Sequence, residues 1–286
     1  MNPYLPFIQE LSGVIDRARQ LPLGGFTLPQ RTAPADDAPC ALIFSPHPDD
    51  EVIIGGLPLR LARELGWRII NVAVTQGSYR ARQAERLREL EACCASIGFS
   101  LMQAAPDGLE GITLKARASD PERWKQSVGR IAEILREHRP AAVFFPHDDD
   151  WNGTHIGTHH LVVEALRAAG EDLRCLAVET EFWGDMRSPN LMAESSASYV
   201  ADLIAALSFH VGEVKRNPYH LRMPAWLMDN VRRGGERVGG QGGAAPDFRF
   251  ATLYRLRRWR GGFENILERG AFLGTDDDLR QWFARA

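Results

Sequence analysis

The chain has 286 residues, with 44% hydrophobic and 25% charged side chains, the proportions of an ordinary soluble globular protein. Its 34 basic and 37 acidic residues leave a formal charge of −3, which gives no bulk electrostatic case for nucleic acid or an anionic membrane as partner. No apolar run approaches the roughly 20 residues needed to cross a bilayer, so no integral membrane segment is expected.

The first residues, MNPYLPFIQELSGVIDRARQ, lack a basic start followed by a continuous apolar block, so no secretory leader is expected. Four scattered cysteines (Cys40, Cys93, Cys94, Cys175) form no CxxC pair and no disulfide framework. These features suit a cytoplasmic protein.

In chain order, residues 1–38 read as a short amphipathic helix and a Gly/Pro-punctuated connector. CALIFS, residues 40–45, is short, apolar and bounded by prolines, as a buried parallel strand is. It ends in PHPDDE and leads into a helix over IIGGLPLRLARELG. RIINVAVT is a second strand, and RARQAERLRELEACCASIG a helix closed by Gly98. FSLMQ is a weaker strand, and PERWKQSVGRIAEILREHR a helix with a proline in its first turn. AAVFFP is another buried strand, ending in HDDDWNGTH and followed by the helix IGTHHLVVEALRAAG and the strand LRCLAVETEFW.

After residue 198 the alternation fades. ASYVADLIAALSFHVGEV and WLMDNVRRG read as helical, and FRFATLYRL as a late strand. The glycine-rich stretch 234–243 reads as a mobile surface loop or lid. Alternating strands and helices predict an α/β fold: a Rossmann-like, mostly parallel sheet flanked by helices. One domain is expected over 1–286, with an N-terminal extension to residue 38 and a C-terminal elaboration from about 215.

Open parallel sheets bind ligands outside the carboxyl ends of their strands. Two strands here end in residues of metal-ligand type. The first gives His47, Asp49, Asp50 and Glu51; the second gives His147, Asp148, Asp149, Asp150, Asn152 and His155. A parallel sheet brings such ends to one rim. Imidazole and carboxylate together suit zinc, with iron or manganese as alternatives. Three protein ligands with an open position would lower the pKa of a water toward about 7, and a further carboxylate could take its proton. Taken singly, either cluster could instead be a helix cap or turn, because Asp favours such positions. Gly55 and Gly56 belong to no phosphate-binding fingerprint, which argues against a nucleotide enzyme.

These motifs resemble the PIG-L/LmbE-like family of zinc-dependent de-N-acetylases. The family's (A/S)HPDDE motif stands here as SPHPDDE, residues 45–51, and its DxHPDH motif as Asp150-Trp151-Asn152-Gly153-Thr154-His155. Arg86-Leu87-Arg88-Glu89-Leu90 and Ile97-Gly98 match its RxxEL helix, Pro106-Asp107-Gly108 its pocket aspartate, and ETEFWGDMRSPN its strand-and-PN segment. The resemblance covers residues 40 to about 215.

It implies one Zn²⁺ per chain, or another divalent metal, held by His47, Asp50 and His155, with Asp49 as general base. Arg86 and Asp107 would contact substrate, although a helix-face salt bridge from Arg86 to Glu85 or Glu89 is the competing reading. Glu51 would support the ligands by hydrogen bonding. Asn152 departs from the family, which carries a histidine there: an amide can donate to an oxyanion but cannot deliver a proton. His147, His159, His210 and His220 are then candidates for the acid, with His210 placed nearest the family's late histidine; His159 and His160 otherwise read as structural.

The implied activity is hydrolysis of an N-acetyl group from an amino sugar of N-acetylglucosamine type, or from a similar small amide. The partner would be a small N-acetylated molecule, and a homo-oligomer is left open. Alternatives are an amidase on a thiol conjugate or natural-product intermediate, and a metal- or sugar-binding protein without turnover.

Overall fold

A computed structural model describes residues 2–27 and 33–283. The middle of the expected N-terminal connector, 28–32, lies outside the described residues. The helix α1 (Leu5–Ala18) precedes β1 (Cys40–Ser45), a four-residue helix α2 (Asp50–Ile53), α3 (Leu57–Leu65), β2 (Arg68–Ala73), α4 (Arg80–Ile97) and β3 (Ser100–Gln103). Then come α5 (Leu114–Ser119), α6 (Pro121–His138), β4 (Ala142–Pro146), α7 (Gly153–Ala168) and β5 (Arg174–Thr180). The second half holds β6 (Leu191–Glu194), α8 (Ala197–Leu207), α9 (Val211–Arg216), α10 (Met223–Gly239), β7 (Ala251–Arg260), β8 (Phe263–Asn265), β9 (Ala271–Leu273) and α11 (Arg280–Phe283).

All strands join one sheet of order β3-β2-β1-β4-β5-β7-β6-β9, with β8 paired to β7. The first five are mutually parallel. β7 is antiparallel to both β5 and β6. The architecture is therefore α/β with a mostly parallel core and an antiparallel extension. Because successive side chains of a strand point to opposite faces, β1 feeds two cores. Ala41 and Ile43 pack in the cluster of Leu59, Leu90, Leu203 and Leu227. Leu42 and Phe44 pack in the cluster of Ile131, Leu135, Leu161 and Leu166. Helices therefore cover both faces. Strand order reverses between β1 and β4, so their carboxyl ends frame the crevice where ligands bind in such sheets.

Two expectations change. The stretch 234–239 is the last turn of α10 and not a loop or lid. Its glycines serve close packing: a Cβ on Gly234 would stand 2.5 Å from Met192 Sδ, and one on Gly235 2.9 Å from the Ala245 nitrogen. The expected single helix over 197–214 is broken at Ser208–His210 into α8 and α9, and this break turns His210 into the core. Among the described residues no helix is long and apolar enough to cross a membrane.

Candidate metal centre and active site

β1 is buried along its whole length and delivers the chain to the rim at Ser45. The next turn, Pro46 to Asp50, is held at several points. The Thr75 hydroxyl donates to the Pro46 carbonyl at 2.7 Å, and Arg86 Nη2 to the Pro48 carbonyl at 3.0 Å. The His47 amide donates to Asp50 Oδ2 and the Asp49 amide to Glu51 Oε2, both at 2.9 Å. This clamping matters because Asp49 sits at φ 109°, where a residue with a Cβ is strained by on the order of 1–3 kcal/mol. The strain sets Asp49 apart from its neighbour Asp50, so two adjacent carboxylates take different partners.

Asp50 joins the metal-type cluster. Its Oδ2 lies 3.3 Å from His47 Nδ1 and 3.2 Å from His155 Nε2, and those two ring nitrogens are 3.3 Å apart. Asp50 and His155 are buried, whereas the His47 side chain keeps 21% exposure and opens the cluster to solvent. Asp50 Oδ1 is buried with no hydrogen-bond partner among the described residues. Three donor groups thus converge across more than a hundred residues of sequence, because β1 and β4 are neighbours in the sheet.

His155 is presented by the first turn of α7, which Asn152 caps by accepting the Thr154 amide at 2.9 Å. Behind it, Asp150 Oδ2 stands 3.4 Å from His155 Nδ1. Asp150 is itself fixed by the amides of Asn152 and Gly184. Carboxylates behind ligand histidines orient the ring and raise its basicity. Burial opposes charge on His155, yet Asp50 and Asp150 outweigh it and push the imidazole up to about 10. Asp50 is correspondingly held well below the usual carboxylate range by His155 and His47, despite its burial.

Asp49 has the opposite setting. Burial and the nearby Asp50 charge raise its pKa, against His210, the Tyr219 hydrogen bond and Arg86. The Tyr219 hydroxyl donates to Asp49 Oδ2 at 2.5 Å. Burial and the Asp49 charge push that phenol above its ordinary range, so it stays a donor.

The remaining expected residues take distinct places. His210 Nε2 donates to Glu51 Oε1 at 2.7 Å, fully buried, and Glu51 in turn accepts the Asp49 amide. Cys93 completes this buried group with Glu51 and His210. Asn152 commits its oxygen to the α7 cap. Arg86 pairs with neither Glu85 nor Glu89; besides Pro48 it approaches Glu213 at 4.0 Å. Asp107 is exposed in the turn after β3 and makes no side-chain hydrogen bond among the described residues. His147 spans the Asp149 amide and the Gly184 carbonyl. His159 donates to the Pro146 carbonyl at 3.0 Å and lies 3.5 Å from Glu179.

The PIG-L family, described as GlcNAc-PI de-N-acetylase, matches residues 42–166. That span contains the whole triad together with Asp49. Residues 42–166 are a PIG-L domain. No curated protein sequence matches the chain. Among solved structures, the chain resembles the N,N'-diacetylchitobiose deacetylase of Pyrococcus horikoshii at 16% identity and TM-score 0.56, over 89% of this chain and 93% of that one. GalB, the 4-carboxy-2-hydroxymuconate hydratase of Pseudomonas putida, aligns at 20% identity and TM-score 0.57, over 82% of this chain and 100% of that one. A deacetylase of the teicoplanin biosynthesis pathway aligns at 16% identity and TM-score 0.55, over 77% and 98%. These likenesses establish a shared fold. The PIG-L match and the His/Asp/His triad support a metal-dependent hydrolase of N-acetyl groups.

Sequence reasoning did not assign Tyr219 to Asp49 or Phe182 to His155, whose rings meet edge to face at 4.9 Å. Tyr219 lies 170 positions beyond Asp49, outside any local motif. Asp150, by contrast, stands first in the motif 150–155 that the sequence singles out.

Proposed function

We propose that the protein is a zinc-dependent hydrolase that releases acetate from an N-acetylated amino sugar or a similar small amide. The observation that carries this reading is the convergence of His47, Asp50 and His155 within about 3.3 Å, with Asp49 on the adjacent residue but turned to a separate partner. Two imidazoles and one carboxylate form a donor set that suits zinc, and the buried, unpartnered Asp50 Oδ1 leaves that carboxylate a free acceptor. Zinc bound there would supply a Lewis acid and a nucleophilic water near neutral pH.

The chain's own residues do the rest. Asp49 accepts the proton of the attacking water through its carboxylate and returns it to the departing amine, so amide and water become acetate and amine. A base that also acts as acid removes the need for a histidine at position 152. Tyr219 holds the Asp49 carboxylate and is the neutral donor closest to it. Glu51 fixes the Asp49 backbone, and His210 in turn fixes Glu51. Arg86 braces the loop at Pro48, and we assign it and the exposed Asp107 to contact with substrate.

The test combines metal analysis with turnover. Protein purified without chelator should hold about one zinc per chain, His155→Ala should lose it, and an N-acetyl sugar panel should yield acetate plus primary amine. Full metal in the variant would show that the ligand set is wrong. Stoichiometric zinc with no hydrolysis would favour a binding protein.

A further inference from the structure

A cavity of about 210 Å³ lies against the proposed reacting centre. Two of its walls touch that centre directly. Tyr219 reaches Asp49 Oδ2 at 2.5 Å, and the Phe182 ring packs edge to face on His155. Trp183 meets Tyr219 edge to face at 5.4 Å, Trp226 adds a fourth aromatic, and Ile53, Leu207 and Met223 complete its apolar lining. Its side-chain hydrogen-bonding groups are two indole N–H groups, the Tyr219 hydroxyl already given to Asp49, and Arg222 at the exposed rim. Trp183 retains 41% exposure and so leaves part of its ring open to solvent at the mouth of the cavity.

We infer that this cavity holds an apolar group of the substrate, so that the preferred amide carries an alkyl or aryl substituent beside the scissile bond. The inference deepens the proposed hydrolase and rests on it. A sugar ring stacked on one aromatic face would leave its hydroxyls against Leu207 and Met223 without partners, which is costly for buried polar groups. A chain or ring of apolar carbon meets no such penalty. At roughly 30 Å³ per small group, the volume of a water in the liquid, the space admits about seven such groups, enough for a six-carbon chain. The substituent is either the acyl chain itself or an apolar aglycone on the amine side, and both share this chemistry.

Two series measured with zinc-loaded protein separate the sources. One varies the acyl group of glucosamine from acetyl through butyryl to hexanoyl; the other varies the alkyl glycoside of N-acetylglucosamine from methyl to hexyl. In the correct series kcat/KM should rise by up to about fourfold per methylene, the worth of one buried CH₂, and level off near six carbons. Met223→Phe should flatten that rise. A second measurement, binding of hexanoate against acetate and of hexyl glucoside against methyl glucoside, reads the cavity without turnover. Hydrolysis of the acetyl compounds with flat or falling trends in both series overturns the inference and leaves the hydrolase standing. No hydrolysis, but preferential binding of a hexyl ligand weakened in Met223→Phe, upholds the cavity and refutes the hydrolase. Neither hydrolysis nor preferential binding removes both.

Discussion

Tyr219→Phe removes one hydroxyl and keeps the ring that packs on Trp183, so it isolates the bond to Asp49. The phenol donates to the ionised carboxylate and thereby favours it. Hydrogen bonds to charged groups contribute about 1.5–3 kcal/mol, and one pKa unit corresponds to about 1.4 kcal/mol. Loss of the donor should therefore raise the Asp49 pKa by roughly one to two units. Asp49 acts as base only when ionised, so the acid limb of kcat/KM should move to higher pH by that amount. Below the limb the variant should be about 10- to 100-fold slower, while zinc content stays that of the parent. The assay is a pH series on an N-acetyl sugar, paired with carboxyl ¹³C NMR titration of Asp49 in metal-free protein, which needs no turnover. An unmoved limb with an unmoved titration, or movement to lower pH, would refute the assignment of Tyr219 to the base.

Other perturbations test the supports. Asp150→Asn takes the charge from behind His155 and should weaken zinc affinity by about 10- to 100-fold, read by competition with a chelator. Glu179→Gln strikes a fully buried carboxylate that accepts from both Arg255 and Arg257. Leaving Arg257 without its counter-charge and Arg255 with Asp148 alone should cost roughly 3 kcal/mol in urea unfolding, with the triad unaffected. Gly157→Ala would place a Cβ 2.2 Å from the Ile112 carbonyl oxygen, two residues beyond His155. Such overpacking should cost about 1–3 kcal/mol; a variant as stable as the parent would show that α7 shifts freely.

The parts of the fold and site that were legible in the sequence are those written locally. CALIFS and AAVFFP announce themselves as buried strands, and each ends in its own residues of metal-ligand type, so the parallel sheet alone brings His47, Asp50 and His155 together. What was hidden depends on contacts distant in sequence. β6, β8 and β9 are only three or four residues long, too short to show a period. The 234–239 glycines read as a loop by propensity, but close packing of Gly234 on Met192 and Leu253, Gly235 on Ala245 and Gly239 on Phe272 overrides that preference. Arg86 had eligible glutamates on its own helix and instead bonds the Pro48 carbonyl, which no helical spacing announces. His210 was singled out as a site residue; its bond to Glu51 arises from the break between α8 and α9.

The division of labour along the chain bears on which reaction the fold performs. A hydratase and two deacetylases share this architecture at 16–20% identity, so the scaffold leaves the bond to be broken undetermined. The triad and Asp49 lie within the PIG-L span of 42–166. Tyr219, which bonds Asp49, His210, which bonds Glu51, and Trp183 and Trp226, which wall the adjoining cavity, all come from beyond it. On the proposed reading the metal chemistry would then be carried by the strand ends of the parallel half, while the second half would set how Asp49 is held and what stands beside it. Substrate changes within this fold should then follow substitutions after residue 180, and zinc binding should survive them. Exchanging Trp183 and Trp226 together for alanine should alter the ranking of amide substrates with zinc stoichiometry unchanged; an unchanged ranking would place the specificity within the PIG-L span itself.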